Sequence, residues 1–194
     1  MADLTEPVTA DDWALGPPDA PVTLVEYADF QCPYCRQMAP MLRRLQERYG
    51  DRLLLVYRHL PLSAGHPHAM NAAMAAEYAG AHGKFWEMHD LLFAHQEALD
   101  IDHLAEYARQ LGLDGEEMKQ AVETGRFRAA VRHDLVSGVR SGANGTPTIF
   151  INGDRYDGPR VEHNLADAIE RAAGQPYGEE VETTGYTRSL PPES

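Results

Sequence analysis

Val22-Thr23-Leu24-Val25-Glu26-Tyr27-Ala28-Asp29-Phe30-Gln31-Cys32-Pro33-Tyr34-Cys35 is an apolar run that ends in a Cys-x-x-Cys pair. The residues that follow, Met38, Leu42, Leu45 and Tyr49, recur at helical spacing. Strand, then Cys-x-x-Cys, then helix is the context in which the motif reads as redox-active. The first cysteine falls at the helix start, where unpaired N–H groups and the positive end of the helix dipole favour a thiolate. The second falls one turn along, within reach to close a disulfide behind it. The chain has 194 residues and only these 2 cysteines, so none is left for a structural bridge.

Two plainer uses of the pair fit less well. A structural zinc site normally takes four Cys or His ligands. No second Cys-x-x-Cys exists, and the nearest histidine pair, His66-Pro67-His68, lies on another segment. A structural disulfide closing so small a loop would restrict the unfolded chain little. No metal and no organic cofactor are therefore expected. The formal net charge of −13 argues against nucleic acid or an anionic membrane as partner, since both call for basic patches. The first ten residues carry no Lys or Arg and no apolar core, unlike a secretory signal. No apolar run approaches the roughly 20 residues of a membrane helix. The expectation is a cytoplasmic protein, monomeric or weakly dimeric.

Working outward from the motif, residues 1–19 are a polar, Pro- and Asp-rich lead-in with a short edge strand near Trp13-Ala14-Leu15. The apolar run over 22–29 predicts a strand buried on both faces. Helix one is expected from about Cys32 to Tyr49, kinked at Pro40 and stopped by Gly50. Residues 53–60 predict a second buried strand, completing a βαβ unit. The next eighty or so residues read as helical. Segments begin near His68, Phe85, Asp100 and Asp114, and a final stripe runs through Phe127, Val131, Leu135 and Val139. Strand character returns at Thr146–Ile151. Asn152-Gly153 signals a type I′ hairpin turn, and Arg155-Tyr156 a return strand. Val161–Ala172 closes with a helix. The expected architecture is α/β, with one mixed sheet built from two discontinuous halves, 20–62 and 143–173. A helical lobe, 63–142, is inserted between them, and a polar tail, 174–194, follows.

Three of these features together resemble the DsbA-like branch of the thioredoxin superfamily. They are Glu26 to Cys35 after a buried strand, Thr146-Pro147 opening a later strand, and the all-helical insertion between them. The segment Lys84-Phe85-Trp86-Glu87-Met88-His89-Asp90 is similar to bacterial members as well. The resemblance implies a thioredoxin-like fold and thiol–disulfide exchange with protein or peptide thiols, with the pair recycled by a further redox partner. It implies that Cys32 attacks and Cys35 resolves, and that Thr146-Pro147 is a cis bond facing the sulfurs. It also implies that Pro33, Tyr34, Thr146 and Pro147 border the substrate. Glu26, an acid inside an apolar strand, is implied to help move the Cys35 proton. One departure stands out: the strongest oxidants of this branch carry Pro-His between the cysteines, whereas this chain carries Pro33-Tyr34. That implies a weaker oxidant. Two alternatives remain. One is a redox-sensing or chaperone-like binding module that uses the same thiols as a switch. The other is a glutathione-linked kappa-type transferase or isomerase, disfavoured because those proteins place serine at the first position.

Overall fold

A computed structural model of the chain describes residues 3–174. The predicted tail falls on residues outside that range, apart from its first. The elements run β1 (Trp13–Leu15), β2 (Val22–Ala28), α1 (Pro33–Tyr49), β3 (Leu53–His59), α2 (Ala69–Ala81), α3 (Phe85–Ala94) and α4 (Ile101–Gln110), then α5 (Gly115–Glu123), α6 (Arg128–Arg140), β4 (Thr148–Ile151), β5 (Asp154–Tyr156) and α7 (Glu162–Ala172). The five strands form one sheet in the order β1-β3-β2-β4-β5. β2 pairs parallel with β3 and antiparallel with β4, so it is central and buried along its whole length. A strand covered on both faces has no polar side, which is why its sequence reads as a near-continuous apolar run.

Alternate residues of the sheet face two layers. Val22, Leu24, Leu53, Leu55, Ile149 and Ile151 pack against Leu42 and Leu45 of α1 and Leu165 and Ile169 of α7. Val25, Tyr27, Leu54, Val56 and Phe150 form the opposite face, covered partly by Leu4, Val8 and Ala14 of the lead-in. The lead-in is held there by Arg58, a cation inside the buried strand β3. Its guanidinium bonds Asp12 Oδ1 and Oδ2 at 2.8 and 3.0 Å, the carbonyls of Glu6 and Pro7, and the Tyr27 hydroxyl. A buried charge persists only when paired and hydrogen-bonded, and here every partner except the Tyr27 hydroxyl of β2 comes from the lead-in.

Most sequence-derived boundaries agree to within a few residues. α1 runs to Tyr49 with Pro40 inside it and ends at Gly50, as expected. Asn152 and Gly153 have φ of 48° and 86°, the two positive values that a type I′ turn requires, and the return strand begins one residue earlier than expected. Asp100 and Asp114 both cap their helices through side-chain oxygens. The stripe on the last insertion helix is corrected. Phe127 and Val131 are buried as expected and Leu135 is half-buried, but Val139 is exposed, and α6 also buries Asp134, Ser137 and Gly138. Hydrogen bonding reverses the apolar expectation: Ser137 Oγ lies 2.8 Å from the Tyr27 hydroxyl, and Asp134 accepts the His59 N–H at 3.0 Å. Polar groups satisfied in this way are buried at little cost.

Candidate functional site

α1 begins at Pro33, whose ring presets the helical φ at a position that needs no N–H. That leaves Cys32 at the helix cap in extended conformation, with no side-chain cap of its own. Its sulfur sits where the first-turn N–H groups converge, 3.4 Å from the Thr146 carbonyl oxygen. The Thr146-Pro147 bond is cis. The sequence separates these residues by more than a hundred positions, and β4 brings them together by pairing with β2. Cys35 lies one turn deeper with no solvent exposure, and both cysteines are free thiols. Tyr34 between them is 68% exposed, Thr146 is half-buried and Pro147 is buried.

The two thiols hold their protons very differently. A hydrogen bond from Cys35 pulls Cys32 down to about 5 against the opposing effect of burial. Thr146 and the backbone N–H groups of Cys35 and Tyr34 assist. Cys35 is pushed up, first by burial, then by its bond to Cys32 and by the nearby Glu26. Glu26 sits mid-way along β2 between Tyr57 and Ile149. It is only 3% exposed, and its Oε1 has no hydrogen-bond partner. Burial, then the charge on Cys32, raise its carboxyl to about 8. Glu26 lines a narrow cleft with Leu42, Arg43, Tyr57, Trp86 and His89, with room for roughly one water.

Several residues that the sequence reading did not single out lock the loop before Cys32. The Asp29 carbonyl accepts the Cys32 N–H at 3.0 Å. Asp29 Oδ1 accepts the Gln31 N–H at 2.7 Å, while Oδ2 takes the Leu62 N–H at 2.8 Å and meets His66 Nδ1 at 2.7 Å. Gln96, in the turn after α3, donates its amide to the carbonyls of Phe30 and Cys32 at 2.7 and 2.9 Å. His68 lends its N–H to Gln31 Oε1 at 2.8 Å. An acid closing an apolar strand just before the motif was the available signal for Asp29. Gln96 carried none, being far along the chain in a polar turn. Away from the thiols, the described residues include one buried group able to hold a cation, His59 with Glu77 and Asp134.

The arrangement can expose one activated thiolate and keep a second, protonated thiol behind it with an acid nearby. Known proteins share the fold that carries it. A family model described as Thioredoxin matches residues 9–171. BdbD from Bacillus subtilis superposes with a TM-score of 0.80 at 23% identity, over 89% of this chain and 98% of that one. Wolbachia pipientis alpha-DsbA1 superposes with a TM-score of 0.76 at 20% identity, over 89% of this chain and 95% of that one. Among curated proteins, the Na(+)/H(+) antiporter NhaA 3 of Salinispora tropica is 45% identical over 173 residues, 89% of this chain but 26% of that protein. The chain thus spans about a quarter of the length of the curated relatives it matches. The chain belongs to the thioredoxin family and shares the helical-insertion form of the fold with DsbA-type proteins.

Proposed function

We propose that this chain is a thiol–disulfide oxidoreductase that exchanges disulfides with protein or peptide thiols through Cys32 and Cys35. The observation that carries the reading is the split between the two sulfurs: Cys32 lowered to about 5 at the helix start, Cys35 raised and sealed beneath it. Thiolate, not thiol, is the nucleophile, so the split assigns the order of events.

In the reducing direction, the Cys32 thiolate attacks one sulfur of a substrate disulfide. The S–S bond breaks, the far sulfur leaves as thiolate, and a mixed disulfide joins Cys32 to the substrate. Cys35 then loses its proton and attacks the Cys32 sulfur. The second substrate thiolate departs, and the chain is left with a Cys32–Cys35 disulfide, two electrons having passed to the substrate. Oxidation is the reverse. Glu26 in its carboxylate form is the acceptor we assign to the Cys35 proton, since it lies near enough for its charge to help raise that thiol. Tyr34, exposed beside Cys32, and Thr146 with Pro147 form the surface we assign to the substrate. No organic cofactor is required.

Proteins similar to this chain are named Na(+)/H(+) antiporters, but the match spans about a quarter of them. No helix among the described residues is long and apolar enough to cross a membrane. The proposal is therefore confined to thiol chemistry. It is tested by cysteine exchange in an insulin-reduction or scrambled-protein assay. Cys32→Ser should abolish turnover and trap nothing. Cys35→Ser should also lose turnover but accumulate substrate as mixed disulfides, visible on a non-reducing gel. Trapping by Cys32→Ser instead would reverse the assignment. A native protein that changes its binding with redox state but shows no turnover would replace the enzyme reading with the sensing one.

A further inference from the structure

We propose that the cleft beside Glu26 is the route by which its proton reaches solvent, with His89 as the relay and Asp90 as the outlet. The inference rests on the oxidoreductase reading for its use, but its test needs no turnover. Neither cysteine lines the cleft, so it leads away from the sulfurs. Glu26 and Tyr57, opposite one another on β2 and β3, form its inner wall. Arg43 of α1 and Trp86 of α3, both half-buried, form its outer wall, with the Arg43 guanidinium 5.5 Å over the Trp86 ring. Buried polar atoms ordinarily find a partner. Glu26 Oε1 and the Tyr57 hydroxyl are both sealed in without one. They belong to the wall of one cleft that has room for about one water, and a water there gives a proton on Glu26 its first step outward.

His89 continues the path. The residue is 5% exposed and lines the same cleft, its ring 5.2 Å from that of Tyr57 and 5.1 Å from that of Trp86. Its Nδ1 lies 2.8 Å from Asp90 Oδ1. A carboxylate accepts, so the neutral ring carries its proton on Nδ1 and a lone pair on Nε2. The Asp90 side chain is 57% exposed and also pairs with Arg43 at 2.9 Å. A buried imidazole thus joins the cleft to a carboxylate in water. The groups around the ring favour a neutral resting state. Burial holds His89 below its ordinary value against the pull of Asp90, and Arg43 of α1 and His59 of β3 add to the lowering.

The protons balance over a cycle. Cys35 gives its proton to the Glu26 carboxylate as it attacks Cys32. Protonated Glu26 passes that proton along the cleft to His89 Nε2, and the ring releases its Nδ1 proton to Asp90 and so to water. One proton enters the ring and one leaves. When the Cys32–Cys35 disulfide is reduced again, Cys35 regains a proton by the same steps reversed, which restores the starting tautomer. His89 acts through Glu26 and not on the sulfurs.

The test is a rapid pH jump on the reduced whole chain, from below to above the Glu26 midpoint of about 8. Ionisation is followed by the infrared band of the protonated carboxyl, identified by its loss in Glu26→Gln. His89→Gln keeps a polar partner for Asp90 but cannot take a proton at one end and release it at the other. It should slow the ionisation by about tenfold or more and leave the midpoint in place. A side chain that only kept the cleft in shape would move the midpoint as well. Asp90→Asn, at an exposed position that burial does not constrain, should slow the ionisation too. In single-turnover exchange, His89→Gln should delay closure of the Cys32–Cys35 disulfide more than formation of the mixed disulfide. The proposal fails if folded His89→Gln or Asp90→Asn ionises Glu26 at the native rate, or if the slowing in His89→Gln comes with a shifted midpoint. A native chain with the fast ionisation, lost in both variants, but with no thiol-exchange turnover would strike the oxidoreductase reading and leave the proton route standing.

Discussion

Cys32 and Cys35 are the same side chain three positions apart, and their surroundings alone separate them. The largest influence on Cys32 is the hydrogen bond from Cys35. Cys35→Ala should therefore move the Cys32 midpoint upward from about 5 in an ultraviolet thiolate titration. An unchanged midpoint would assign the activation to the helix start alone. The pH dependence of stability follows from the signs. Cys32, lowered from an ordinary value near 9.0, stabilises the reduced fold fully above that value and loses the contribution as pH falls through about 5. Glu26 works the other way. Raised from 4.5 to about 8, it keeps its proton in the folded chain while the unfolded chain ionises, so its penalty grows from pH 4.5 to 8. The two trends oppose each other over nearly the same window, and the native curve hides both. Glu26→Gln should uncover them, gaining stability over the native chain by roughly 1.4 kcal/mol per pH unit inside that window. Its exchange rate should fall, because an amide accepts no proton from Cys35. Parallel stability curves for variant and native chain would show that Glu26 does not titrate there.

At the scale of elements, helices and strands are positioned by a few close approaches. α2 runs through Gly80 because the Trp13 ring of β1 lies against it: a Cβ added at Gly80 would stand 2.3 Å from the ring. Trp13 is fixed on both counts, stacked on Phe85 at 4.5 Å and bonded through Nε1 to Glu77. Gly80→Ala should therefore destabilise the chain by about 1–3 kcal/mol, despite the better helix propensity of alanine. It should also displace Trp13, and the check is a lowered Tm with a shifted tryptophan emission. A variant as stable as the native chain with unchanged emission would mean that α2 and β1 separate freely. The motif loop is likewise tied to the insertion, through Gln96 on the carbonyls of Phe30 and Cys32 and through His66 on Asp29. These ties connect the helical lobe to the first turn of α1, so the insertion helps to set where the Cys32 sulfur sits.

Across the whole molecule, the sheet and the insertion share one core. Phe30, Tyr57, Cys32 and Cys35 belong to the same buried cluster as Met88, Leu92 and Leu104 of the insertion helices. Arg58 binds the lead-in to the sheet, and Glu77 and Asp134 bring two insertion helices to the end of β3. A core that crosses the boundary between lobes predicts one cooperative unfolding transition, with near- and far-ultraviolet signals melting together. Two separated transitions, one carrying the helical signal, would show the insertion to be an independent unit.

The sequence by itself determined the order of strands and helices, the hairpin at Asn152-Gly153, the capping of α4 and α5 and the motif at the start of α1. Each of these is written in local periodicity, turn chemistry or short spacing, and local physics decides them. It also brought Glu26 and Thr146-Pro147 forward, one as an acid out of place in an apolar strand, the others through resemblance. Only the tertiary structure decided what these residues meet. It placed the Thr146 carbonyl on the Cys32 sulfur, Gln96 on the motif backbone and His66 on Asp29. It turned Asp134 and Ser137 inward where the apolar stripe had pointed to Val139, and it gathered His59, Glu77 and Asp134 from three elements. The physical reason is common to all of these. A buried polar contact is set by the partner that satisfies it, and that partner lies on another element, at a separation no periodic pattern records.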